Sequence, residues 1–354
     1  MKLVAKIKLN TNVEQAKLLL RTLETANECA NWMSRKAWES KTFKPFALQK
    51  LVYSEARSKF PLSAQIVVRL LSKVCDAYKI DNKVQRRFAK HGAISYDSRV
   101  LSYGENRVSI WLLGGREAIP YSAGPRQKEL LQHQQGESDL IYHRGKWFLA
   151  ATCDLTEPPL DLIDDFLGVD LGIVQIATDS DGQAFSGSMV NNVRYRCRKL
   201  RSNLQKAQSK SAKRHLKELS GRENRFAADV NHCIAKQIVE KAKRTNRGIA
   251  IEDLTGIQTR IRARKSQRTV LHSWAFAQLG AFIKYKAILA GVLVLEVDPR
   301  NSSRECSRCG HTEKSNRPSQ SKFRCQSCGF ETNADFNAAL NLRSRASVNR
   351  PIAV

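Results

Sequence analysis

Four cysteines and three acids carry the chemistry that this sequence can do. Cys306/Cys309 and Cys325/Cys328 form two Cys-x-x-Cys pairs separated by fifteen residues. That spacing lets two hairpin tips face each other and offer four thiolates to one tetrahedral zinc ion. Gly310 and Gly329 follow the second cysteine of each pair, where the backbone must turn sharply to aim both sulfurs inward. Two disulfides are the competing use of the same residues. The other five cysteines, Cys29, Cys75, Cys153, Cys197 and Cys233, are scattered singly and bring the total to nine. An odd count of this kind fits a reduced intracellular protein and favours zinc. His311 is a weaker fifth candidate and stays outside the ligand set.

Asp335 follows the last of these cysteines by seven residues and opens the helix-like segment Ala334 to Leu340. Asp170 sits inside the apolar string from Phe166 to Gly172, and Glu252 ends the string Gly248 to Glu252. An acid in such surroundings is costly to bury unless a cation meets it, and a lone example would read as a structural ion pair. Three of them at the ends of core elements point instead to oxygen ligands for two Mg²⁺ ions, with Mn²⁺ able to substitute. Held this way, the ions would clamp the attacking water and the leaving 3′ oxygen of a phosphodiester. Asp253 should face away from Glu252 if the strand continues, as a structural cap. Asp298, before Pro299, reads as a turn residue. Arg300 and Arg304 are weak candidates for contact with the scissile phosphate.

These residues need elements to position them. Residues 1–10 alternate apolar and basic, the period of a half-buried strand, and Thr11-x-x-Glu14 then reads as a capping box before Leu18, Leu19, Leu23, Ala26, Ala30, Met33 and Ala37 at helical spacing. A second helix is expected from about Ser63 to Phe88, running into Lys83, Arg86, Arg87 and Lys90, so 11–91 reads as a helical insertion with a basic rim. Short strands separated by glycine-rich turns return over 92–155, and the opening strand is expected to join them in a β-barrel. Glu157-Pro158-Pro159 marks a linker. Strand and helix alternate beyond it: an antiparallel meander over Phe166–Ser186, a basic helical stretch from Arg194 to Arg225, the strand ending at Glu252, a basic loop, a helix from Ser273 to Ala290, and the strand Val292–Val297. The fold class is multidomain α+β. Residues 160–300 and 331–342 form the second domain, 301–330 the zinc finger inserted in it, and 343–354 are expected to fray.

The order strand-acid, strand-acid, helix-acid is that of an RNase H-like nuclease core. Here the motifs become specific. Gly168-Val169-Asp170-Leu171-Gly172, Ile251-Glu252-Asp253-Leu254, Ser273-Trp274-Ala275-Phe276, Val297-Asp298-Pro299-Arg300-Asn301, the two Cys-x-x-Cys-Gly knuckles and Asp335-x-Asn337-Ala338-Ala339-x-Asn341 resemble the RuvC and zinc-finger motifs of the TnpB family, transposon-encoded RNA-guided DNA nucleases related to type V CRISPR effectors. The N-terminal half resembles the family more loosely, through its length and its β-helical-β order. The resemblance implies a RuvC-like domain with Asp170, Glu252 and Asp335 as catalytic and Mg²⁺-binding triad, and Cys306, Cys309, Cys325 and Cys328 as zinc ligands. It also implies a guide RNA from the transposon end and a double-stranded DNA target beside a short adjacent motif.

Composition agrees with such partners. Sixty Lys and Arg against thirty-three Asp and Glu give a net charge of +27 on 354 residues, and 42% apolar content suffices for real cores. In RNA-guided machines base pairing carries the sequence information, so the protein needs a positive channel more than base-reading side chains. The Arg194–Arg225 stretch and the loop bearing Arg260, Arg262, Arg264, Lys265 and Arg268 are the candidates for backbone contacts, against the bland reading of a solvated helix face. Trp32, Trp38, Trp111 and Trp147 read as core before they read as base-stacking platforms. No stretch is long and apolar enough for a membrane span and no signal-peptide core opens the chain, so a cytoplasmic protein is expected, which the resemblance places in a prokaryote. The alternatives are a non-catalytic nucleic-acid-binding regulator of a mobile element, a compact type V CRISPR effector, and a cut-and-paste transposase, whose third acid is usually a glutamate.

Overall fold

A computed structural model of the chain describes residues 1–161, 163, 165–253 and 276–348. They divide into two units, Met1–Thr156 and Glu157–Val354. In the first, the alternating opening segment forms β1 (Lys2–Leu9), with Ala5, Ile7 and Leu9 buried and the lysines outside. It pairs antiparallel with β7 (Lys146–Asp154) along its whole length. With β2 (Ile94–Tyr96), β3 (Leu101–Tyr103), β4 (Arg107–Leu112), β5 (Gly115–Ser122) and β6 (Gln134–His143) these make one seven-stranded sheet of order β2-β6-β7-β1-β5-β4-β3. The end strands β2 and β3 are consecutive in the chain, so the sheet curls back toward itself, but among the described residues no ladder joins them.

Between β1 and β2 lie α1 (Val13–Glu39), α2 (Pro45–Lys59) and α3 (Ala64–Ile80). The capping box of α1 falls one residue later than the sequence suggests. Asn12 Oδ1 accepts from the Gln15 amide at 2.8 Å and Gln15 Oε1 accepts from the Asn12 amide at 3.3 Å. The expected helix from Ser63 to Phe88 ends early, at Ile80, because Asp81 turns extended and then organises a loop. Its Oδ1 accepts from the Lys83 amide and its carbonyl takes Arg86 Nε at 2.8 Å. Lys83, Arg86, Arg87 and Lys90 therefore sit on this loop. Trp32 and Trp147 are buried, and Trp38 and Trp111 pack against the same core. A short helix, α4 (Pro125–Leu131), completes the unit.

The second unit is a five-stranded sheet of order β10-β9-β8-β11-β12, built from β8 (Asp165–Leu171), β9 (Gln175–Asp179), β10 (Ala184–Ser186), β11 (Arg247–Glu252) and β12 (Val294–Val297). The first three form the expected antiparallel meander, and β11 runs parallel to both β8 and β12. Helices α5 (Ser188–Ala207), α6 (Lys210–Leu219) and α7 (Arg222–Arg244) precede β11. α8 (Phe276–Ala290) precedes β12, and α9 (Ala334–Val348) comes last. Alternate residues of each strand serve opposite faces. Leu167, Val169, Ile249 and Ile251 meet Ile234, Ile238, Leu279 and Ile283 of α7 and α8, whereas Phe166 and Ala250 meet Leu342 and Ala346 of α9.

Residues 343–348, expected to fray, are the last turns of α9. Leu342 and Ala346 are fully buried, and Arg343 and Arg345 are ion-paired to Asp165 and Glu305. Among the described residues no helix is long and apolar enough to cross a membrane. The basic loop around Arg260–Arg268, the motif residues Ser273, Trp274 and Ala275, and 349–354 lie outside the described residues.

Candidate functional site

The second cysteine pair sits in the turn that joins β13 (Lys322–Arg324) to β14 (Glu331–Asn333), and the first in a knuckle that precedes this hairpin. In each knuckle the glycine amide returns to the first cysteine's carbonyl, Gly310 N to Cys306 O at 2.9 Å and Gly329 N to Cys325 O at 3.1 Å, and both glycines take positive φ, 75° and 70°. All four sulfurs lie within 4.8 Å of one another, with Cys306 Sγ 3.7 Å from Cys328 Sγ and Cys309 Sγ 3.6 Å from Cys325 Sγ. A disulfide needs about 2.05 Å. Four sulfurs at the ~2.3 Å bond length of zinc stand about 3.8 Å apart in a tetrahedron. The cluster fits a tetrahedral ion and excludes the disulfide alternative in this arrangement. The amide of Cys328, 3.5 Å from Cys325 Sγ, and that of Ser327 pull the Cys325 thiol down to about 6, whereas burial raises Cys306 and hydrogen bonding among the sulfurs raises Cys309, so the thiolate form is favoured at Cys325 and not at these two. His311 turns to Glu313, at 3.3 Å.

The three acids converge on one end of the five-stranded sheet. Ile251 and Val169 form the last paired position between the parallel strands β11 and β8, and Glu252 and Asp170 are the next residue of each. Their carboxyls share a hydrogen bond. Asp335 arrives from the first turn of α9, where Asn333 Oδ1 caps the helix by accepting from the amides of Asp335 at 2.9 Å and Phe336 at 3.2 Å. Gly168 explains how the helix comes so close. A Cβ at this position would lie 2.0 Å from the Ala339 carbonyl oxygen and 2.7 Å from the Arg343 amide, so the backbone of α9 rests directly on β8.

Burial pushes the Asp170 carboxyl well above the usual carboxylate range, and the charges of Glu252 and Asp335 push it further. Burial also raises Glu252, which is partly compensated by Asp170 and by Ser302 Oγ donating at 3.2 Å. Asp335 is raised by burial and partly offset by Arg317, whose Nη2 is 3.4 Å from Oδ1. Among the described residues only the cysteines bring three or more ligand atoms within 4.8 Å of one another, so the carboxyls form a wider set than the zinc-type cluster. Carboxyl oxygens are the donor type that hard divalent cations take.

Arg317 is the residue that sequence reasoning missed, and its spacing carries no signal in a chain this basic. Arg300, one of the two arginines singled out instead, is exposed and lies 3.8 Å from Asp298. Asp298 fulfils its turn role, accepting from the Arg300 amide at 2.9 Å. The motif asparagines prove to be ties. Asn337 Nδ2 donates to Glu305 O at 2.7 Å, and Asn341 Nδ2 to Ser302 O and Glu305 O at 2.8 Å each, binding α9 to the loop that leads into the first knuckle. In the basic stretch, Arg194 is spent on an ion pair with Glu223 at 3.1 Å, while Arg196, Arg198, Lys199, Lys206, Lys210, Lys213, Arg214, Lys217, Arg222 and Arg225 remain exposed.

Two family models match in chain order: OrfB_IS605, described as a probable transposase, over residues 153–257, and the Cas12f1-like TNB domain over residues 276–342. The CRISPR-associated endodeoxyribonuclease Cas12f1 of Sulfoacidibacillus thermotolerans is 30% identical over 233 residues, covering 60% of this chain and 53% of that protein. A TnpB-like protein of Methanocaldococcus jannaschii is 31% identical over 175 residues, covering 46% and 62%. The chain thus spans about half the length of the Cas12f1 relative it matches. Among solved structures, a Cas12f1–sgRNA–target DNA complex shares the fold, with a TM-score of 0.63 at 16% identity over 94% of this chain and 83% of that one. The likeness read from the motifs is thereby borne out, and the chain is a relative of the TnpB-like and Cas12f proteins.

Proposed function

We propose that this chain is an RNA-guided DNA endonuclease of a mobile element, cutting double-stranded DNA matched to a bound guide RNA beside a short adjacent motif, with an RNase H-like (RuvC) second unit as its nuclease. The carrying observation is the meeting of Asp170, Glu252 and Asp335, from two parallel strands and a helix, at one sheet edge with raised and coupled carboxyls. Mg²⁺ held there would supply a nucleophile at neutral pH and charge stabilisation at the scissile phosphate. Asp170, Glu252 and Asp335 would hold the ion through their carboxyl oxygens. Ser302 holds one Glu252 oxygen in place. Arg317, already beside Asp335, is positioned to meet a phosphate oxygen that approaches this edge.

The names of the relatives support this reading, as do the exposed basic residues of α5 to α7, which suit a nucleic-acid backbone. The cysteine cluster would hold a structural zinc that fixes the segment between Asn301 and α9. The test is to express the chain in its native genomic context, sequence the RNA that copurifies, and assay plasmid cleavage with Mg²⁺ for a target matching that RNA. Guide-matched cutting that disappears in Asp170→Ala is the expected result. Tight RNA binding without cutting under any divalent cation would instead indicate a regulator.

A further inference from the structure

The antiparallel ladder between β8 and β9 places Thr178 directly opposite Asp170. Cross-strand partners project to the same face of a sheet. Gly168, two residues before Asp170, identifies that face as the one on which α9 rests, and Gly182, just beyond β9, lies 3.8 Å (from its Cβ position) from the Phe336 ring of the same helix. Thr178 thus stands on the side of the sheet where Asp170 and α9 meet. It is 4% exposed, and its Oγ1 has no hydrogen-bond partner among the described residues. Its chain neighbours differ. Asp179 takes Lys241 at 2.6 Å on the opposite face, and Ser180 Oγ accepts from the Gly168 amide at 3.1 Å. A buried hydroxyl left unpaired is a cost that valine, of the same shape, would remove.

We infer that Thr178 is a positioning residue of the carboxylate centre, its hydroxyl kept free to hydrogen-bond the hydration shell of the cation that Asp170 holds. This rests on the proposed reading of the acids as a divalent-cation site. Asp170 supplies the charge, and Thr178 supplies direction from across the strand, as groups behind metal ligands commonly do.

The experiment uses the full chain with its RNA and compares Thr178→Val and Thr178→Ser with the parent. Mn²⁺ binding is measured by calorimetry against an Asp170→Ala baseline, alongside Tm in chelator and single-turnover cleavage. For Thr178→Val we expect a Tm equal to or above the parent's, Mn²⁺ affinity and cleavage rate each reduced by about tenfold or more, and unchanged binding of target DNA. Thr178→Ser should recover most of both. Thr178→Val that binds Mn²⁺ and cuts like the parent overturns the inference. So does a lowered Tm with losses that serine does not rescue, which would make Thr178 a packing residue only. A parent chain with no Asp170-dependent Mn²⁺ binding would remove the cation-site reading itself, a failure visible before any Thr178 variant is compared.

Discussion

At the scale of single residues, the acids at the sheet edge cost the fold something. Asp170 is raised by burial and by like charges, so the folded state holds its proton more tightly than the unfolded chain does. For a raised carboxylate the sign is that stability is highest below the unfolded value, near 4, and falls as pH rises toward the folded value. In chelator at pH 7, Asp170→Asn should therefore raise Tm by a few degrees while abolishing cleavage, a pairing that a packing residue would not give. A thermal melt and a cleavage assay on the same preparation check both halves. Glu252→Gln should behave alike but with a smaller gain, since Glu252 is already partly satisfied by Asp170 and Ser302.

At the scale of elements, α9 organises the centre. It carries Asp335 at its start, ties the 302–305 loop through Asn337 and Asn341, and rests on Gly168 of β8. Gly168→Ala should displace the helix, lowering stability by about 1–3 kcal/mol and reducing cleavage far more than it reduces RNA binding; denaturant melts and RNA affinity measured together test this. In the turn after β9, Asp181 accepts from both Arg247 guanidinium nitrogens, at 2.8 and 2.6 Å, and lies 2.9 Å from Lys241; Arg247 first and Lys241 second hold its carboxyl below the usual range. A depressed carboxylate contributes fully above its unfolded value, near 4, and loses its contribution as pH falls toward the folded one. The Tm gap between the parent and Asp181→Asn should be widest near neutrality and close progressively below about pH 4; a gap that does not change with pH would mean that Asp181 acts through packing alone.

The elements also mark what sequence can and cannot convey. The meander, β11 and the start of α9 were legible because strand period, glycine turns and an acid at each element end coincide in short windows. The knuckles were legible because their spacing is a metal's geometry. The early stop of α3 was not, because the apolar face ran on into a basic segment with no proline, and the break depends on the Asp81 loop closing on Arg86. Nor was the order in the last turns of α9, whose polar sequence hides two buried apolar contacts and two ion pairs to residues 40 and 178 positions away. Arg317 and Thr178 share this limit. What distinguishes each is a partner, or the lack of one, that only the folded chain brings into place.

At the scale of the whole molecule, two consequences are open to bulk measurement. The formal charge of +27 predicts RNA affinity that falls steeply with salt, because each neutralised phosphate releases counterions. A nearly flat dependence between 50 and 200 mM would count against an extended basic contact surface. Metal removal should be selective. A strong chelator that strips the cysteine cluster should unfold the segment between Asn301 and α9 and stop cleavage, and re-adding Mg²⁺ alone should not restore it, since zinc binding supplies folding free energy to so small a loop. Recovery with Mg²⁺ alone would show that the cluster is dispensable.

The contact at Gly168 has a thermal consequence. Long side chains that seat a centre lose their fixed rotamers gradually as temperature rises, and the geometry they hold drifts with them. Here, at Gly168, the helix bearing Asp335 lies backbone against backbone on the strand bearing Asp170, a contact with no rotamers to release. The spacing of the acids should persist nearly unchanged until the sheet itself gives way. Cleavage should then climb smoothly with heating and stop within the few degrees over which the second unit melts.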